Sequence, residues 1–135
     1  MKTELFYLLL TSMLTGVLWI PVVIGYVVTR GLPSSADYAR APTSALPDWV
    51  NPANRAHLNS VESFAPFAAV VLIAHAIGVS NGTTATCAAV FFYARLAHAA
   101  IHLGGTGLLK ARTLAFTVAW LAFMVVAGVV LQRAM

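Results

Sequence analysis

Arg55-Ala-His-Leu-Asn-Ser-Val-Glu62, continuing through Pro66 into an apolar segment, sets three strongly polar residues at the mouth of a stretch otherwise fit to cross a membrane. On a helix, Arg55, Asn59 and Glu62 stand at i, i+4 and i+7 and fall within an arc of about 60°. A bilayer penalises such residues heavily, so a stripe of them is a candidate functional site.

The surrounding composition supports a membrane setting. Of 135 residues, 60% are hydrophobic and 9% charged, and the mean hydropathy is +0.84. A soluble domain carries roughly 25% charged residues. The net charge of +4 is modest and no basic cluster is present, which argues against a nucleic-acid surface. Cys87 is the sole cysteine, so an internal disulfide and C-x-x-C chemistry are excluded. Within a helix it is expected to pack as a small apolar residue.

Outward from the motif, the chain reads as one membrane domain over residues 1–135 with four spans. The first covers about 5–29, is too long for a signal-peptide core and is expected to be retained. Pro21 lies inside it and should kink it. A polar connector at 30–54 holds Pro33, Pro42, Pro47 and Pro52, with Tyr38 and Trp49 as expected headgroup anchors. The second span covers about 53–79 and ends at the turn Gly78-Val-Ser-Asn-Gly82. The third covers about 83–103, ending at Gly104-Gly105, and the fourth about 112–131. The fold class expected is all-α.

Basic residues set the orientation. Arg30, Arg40, Arg55, Lys110 and Arg112 belong to loops one and three, against Lys2 and Arg133 on the other side. The positive-inside rule then puts both termini outside and loops one and three in the cytoplasm.

With that topology the intramembrane polar groups share one leaflet. Span three carries Arg95, His98 and His102 on one face of its last two turns, and span four opens with Arg112 and Thr113. Three arginines against one carboxylate favour an anion, and arginine's planar fork suits a carboxylate. Asn59 donates and accepts; Glu62 suits either an ammonium group or an arginine partner, Arg55 or Arg95. Pro66 frees the Glu62 carbonyl as an acceptor. An arginine beside a thiol also favours the nucleophilic thiolate. The plainer readings are snorkelling arginines and a structural ion-pair network. His57 lies about 160° around the helix from Arg55 and is expected at a helix contact. His75 is expected as a packing residue near the outer end of span two. His98 and His102 have the spacing to share a metal, but no carboxylate adjoins them in sequence and nearby arginines would repel a cation. No metal is expected.

The Arg55-to-Glu62 stretch resembles the R-A-x-x-N-x-x-E motif of the membrane-associated proteins in eicosanoid and glutathione metabolism. Ala94-Arg95-Leu-Ala-His98 and Lys110-Ala-Arg112-Thr113 resemble that family too, as do the length and the four spans. The likeness is nearest to small bacterial members, which implies a bacterial inner membrane. It implies a homotrimer that binds glutathione as co-substrate between subunits, near the cytoplasmic leaflet, and acts on a lipophilic electrophile. Carried over by position, Arg55, Asn59 and Glu62 become glutathione contacts, with Arg95, His98 and His102 completing the substrate-binding set. Arg112 becomes the thiolate-stabilising catalytic residue, with Thr113 beside it. His102 stands where the family usually has tyrosine, and Phe116 lacks a hydroxyl some members have. The alternative expectation is a non-enzymatic membrane scaffold or lipid-binding subunit.

Overall fold

The computed structural model describes residues 1–35, 45–104 and 108–135. Tyr38, Arg40, Pro42 and Gly105 lie outside them. Among the described residues all regular structure is helical: α1 (Thr3–Val17), α2 (Ile20–Arg30), α3 (Val50–Ala76), α4 (Gly82–Leu103) and α5 (Leu109–Ala134). Taken together, α1 and α2 form one candidate span, Thr3–Arg30; α3, α4 and α5 are each long and apolar enough to form another.

The first span is one candidate crossing made of two helices, α1 and α2, that meet just before Pro21. Pro21 sits in the first turn of α2, where its missing N–H costs nothing, and the chain leaves helix over Leu18 and Trp19. The expected connector at 30–54 is shorter, because α3 starts at Val50, where the Val50 amide donates to the Pro47 carbonyl at 3.0 Å. This places Pro52 in the first turn of α3, where proline is tolerated.

The end of α3 also comes earlier than residue 79. The Val79 amide donates to the Ala74 carbonyl (2.8 Å) and the Gly78 amide to that of His75 (3.2 Å). With Gly78 at φ +75°, this is a Schellman stop. Buried Ala74 and Val79 meet in its hydrophobic contact. Two residues on, the Asn81 side chain accepts from the Thr84 amide while the Thr84 hydroxyl accepts from the Asn81 amide, both at 3.0 Å. This reciprocal capping box starts α4.

α4 packs along α5, and α1 and α3 both pack on α4. Ala88, Ala94, Ala119 and Ala122 are buried in the central cluster around Phe67, Val71 and Phe91. Small residues let helix backbones approach closely where lipid offers no hydrophobic drive to pack. Cys87 sits half-buried against this cluster.

α2 rests on the start of α3 at Gly25. A Cβ there would collide with the buried Val50 side chain and come within 3.0 Å of the Trp49 ring. Gly25→Ala is therefore expected to destabilise the protein by about 1–3 kcal/mol through overpacking. Gly16→Ala has open space around it and should be neutral or slightly stabilising. Thermal melts of the two solubilised variants test the contrast.

Glu4 is a contact that no local pattern announces. It is buried at the start of α1 and accepts from the hydroxyls of Ser80 (3.2 Å) and Thr84. The first turn of α1 is thereby tied to the α3–α4 turn. Glu4→Ala is expected to cost about 1.5–3 kcal/mol, the range for hydrogen bonds to a charged group. A double-mutant cycle with Thr84→Val checks it, and additive effects would argue against the tie.

Candidate functional site

Three helices bring the polar residues together at one end of the bundle. The first half of α3 supplies Arg55, Leu58, Asn59 and Glu62, the last turns of α4 supply His98 and His102, and the start of α5 supplies Arg112, Thr113 and Phe116. All nine line one cavity of about 410 Å³, a size typical of small-molecule sites. Leu58 was not apparent from composition, although its place one turn from both Arg55 and Glu62 puts it on their face.

The floor of the cavity is buried and its rim is open. His98 and His102 are buried, and their rings pack at 4.7 Å between centroids, tilted by 57°. The Phe116 ring lies 6.2 Å from that of His98. Arg55, Leu58, Glu62, Thr113 and Phe116 are exposed, so one side of the cavity lacks a wall within a single chain. Among the described residues no third His, Cys, Asp or Glu joins the two histidines in a metal-binding group.

Two buried polar atoms of the lining lack internal partners. Asn59 Oδ1 and His98 Nδ1 are buried without a hydrogen-bond partner, although buried polar atoms are ordinarily satisfied. Ser63 takes the local acceptors instead, donating to the carbonyls of Asn59 (2.8 Å) and Ser60 (3.2 Å). The Thr113 hydroxyl donates to the Leu109 carbonyl at 2.9 Å. To donate to a ligand it would first have to release its own helix, so Arg112 is the less encumbered donor on α5.

Arg95 departs from the expected grouping. It shares a helical face with His98 and His102, yet it lines a neighbouring cavity instead. Its Nε and Nη1 have no hydrogen-bond partner, so neither is bonded to Glu62. His57 is half-buried with Nδ1 unpartnered, and His75 is exposed; neither lines the first cavity.

The cavity therefore presents two guanidinium groups and one carboxylate, with amide and imidazole groups between them. It suits a small molecule of net negative charge that also carries hydrogen-bond donors. In the comparisons, the MAPEG family model matches residues 5–132 of the chain. No curated protein and no solved structure gives a match.

Proposed function

The chain belongs to the MAPEG family, and on that premise we propose that it is a glutathione-dependent membrane transferase or peroxidase acting on a lipophilic electrophile. The family includes glutathione transferases and peroxidases. The observation that carries the proposal is the first cavity, where Arg55, Asn59, Glu62, His98, His102 and Arg112 line one space.

In this reading Arg55 pairs with a glutathione carboxylate, and Glu62 takes its ammonium group. Asn59 and His98 offer buried atoms that lack partners within the chain. His102 takes the place of the family's usual tyrosine. Arg112 faces the sulfur and holds it as thiolate by electrostatic stabilisation in a partly dry site. Thr113 lines the site beside it.

The open rim supports a shared site. Exposed Arg55, Glu62 and Thr113 would face hydrocarbon in an isolated chain, and a neighbouring subunit would cover them. The assembly proposed is a homotrimer, and detergent-corrected mass measurement should give three chains; a monodisperse monomer would count against a shared site. The localisation proposed is a bacterial inner membrane, with termini outside. The basic residues Arg30, Arg40, Arg55, Lys110 and Arg112 support an orientation with the cavity in the cytoplasmic leaflet.

A ligand that binds only the folded state raises its apparent stability by mass action. The melting midpoint of the solubilised protein should therefore rise with glutathione concentration, and Arg55→Ala should blunt the rise. An unchanged midpoint up to millimolar glutathione would favour the non-enzymatic scaffold.

A further inference from the structure

At the opposite end of the bundle from the first cavity, the α3–α4 turn meets the last turns of α5. Ser80 and Asn81 from the turn, with Val129, Gln132 and Arg133 from α5, line a cavity of about 490 Å³, within the range of small-molecule sites. No carboxylate is among its lining residues. Glu4, which reaches the same turn, is engaged by the Ser80 and Thr84 hydroxyls. The amides of Gly78, Val79 and Asn81 serve the helix stop and the capping box, while that of Ser80 serves neither. Asn81 keeps its side-chain N–H groups, because the capping box uses its oxygen. The lining thus sets N–H donors around one guanidinium, a combination suited to phosphate.

From the cavity toward the bundle centre, α5 continues as an apolar stripe. Val118, Leu121, Val125 and Val129 share the helical face of Gln132, and Leu121 and Val125 are 51% and 43% exposed. The cavity lies where the candidate spans α3, α4 and α5 end or begin, at the level of lipid headgroups, and the stripe lies at the level of acyl chains. A polar cavity continued by an exposed apolar face matches a phospholipid rather than a free phosphate. We propose that this cavity binds the headgroup of an anionic glycerophospholipid in the leaflet opposite the first cavity, with Arg133 on the phosphate and an acyl chain along Val125 and Leu121. One arginine and no carboxylate favour a head of net negative charge; a zwitterionic head would set a second cation beside Arg133. Snorkelling alone would bring Arg133 to headgroups of any kind. The site requires no glutathione, so it stands or falls separately from the function proposed above.

Thermal melts of the full-length solubilised protein, without glutathione, test the site, since a ligand of the folded state raises the midpoint. Dioleoyl phosphatidylglycerol should raise it at roughly tenfold lower concentration than dioleoyl phosphatidylcholine, as a charge-assisted hydrogen bond implies. Arg133→Gln should erase that preference, and Lys110→Gln, which removes one cation at the other end of the bundle, should keep it. Glycerol phosphate, a head without chains, should give no rise at the concentrations where the lipid does. Equal effects of the two lipids on the unaltered protein would overturn the proposal. So would a preference that survives Arg133→Gln or disappears in Lys110→Gln. A rise with glycerol phosphate equal to that with the lipid would overturn it in favour of a free-phosphate site. Should Arg133→Gln fail to fold, Gln132→Glu, which adds a carboxylate to the lining, should weaken the preference, and an undiminished preference there would count against the site equally.

Discussion

Arg112→Ala is expected to cut turnover of a reactive aryl halide at pH ~7 by a factor of roughly 30, the fall in thiolate fraction when the thiol returns to its free pKa of ~8.5. Glutathione affinity should change little, because Arg55, Asn59, Glu62, His98 and His102 line the same cavity from α3 and α4. A free thiol titrates near pH ~8.5, so at pH ~7 only a few per cent is thiolate. Each unit of depression is worth about 1.4 kcal/mol. The sign of the pH dependence follows. If Arg112 holds the sulfur as proposed, the thiolate is largely formed at pH ~7, and the rate should stay nearly flat as pH rises. In Arg112→Ala the rate should climb about tenfold per pH unit and level off near the free thiol value of ~8.5. Parallel pH profiles for the two proteins would remove Arg112 from this role. Arg112→Lys asks whether a point charge suffices or the planar fork is needed.

Phe67→Ala should produce the largest loss of stability. Phe67 is fully buried and stacks on Phe91 at 3.8 Å between centroids, with the rings only 9° from parallel. This pair joins α3 to α4 at the middle of the central cluster. In a soluble protein such a truncation costs about 3–5 kcal/mol. In lipid the transfer part of that cost shrinks, because an exposed ring meets hydrocarbon rather than water; the packing and void part remains. A loss near the lower end of that range is expected, read as a fall in the melting midpoint of the solubilised protein. Phe116→Ala, at an exposed rim position, should fall by much less. Equal effects at the two positions would contradict the assignment of the core.

The membrane character was legible in composition and the length of the apolar runs, and the stripe on α3 in short-range periodicity. Arg55, Asn59 and Glu62 needed only the helical repeat, and the partner faces on α4 and α5 needed only the leaflet argument. Arg95 shows the limit of that reasoning. Periodicity placed it on the face of His98 and His102, but seven residues at 1.5 Å each put it about 10 Å along the axis from His102. At that depth it lines an adjoining cavity with Ala119, Trp120 and Phe123 of α5, one that shares Asn59, Glu62 and Phe116 with the first. Hydropathy alone also misjudged the helix ends. The stop at Ala76 depends on the left-handed backbone of Gly78 and the hydrogen bonds around it, and the start at Val50 on the Pro47 carbonyl. Glu4 was illegible for another reason, since its partners Ser80 and Thr84 are remote in sequence and meet it only through the packing of α1 on α4.

The central claim is that the first cavity binds glutathione, and titration calorimetry on the solubilised protein tests it most directly. The account predicts saturable binding at or below millimolar concentration, weakened by Arg55→Ala and largely retained in Arg112→Ala. No measurable binding at millimolar glutathione by the unaltered, folded protein would contradict it. His102 and Phe116, where this chain departs from the family pattern, would then be the first places to seek the reason.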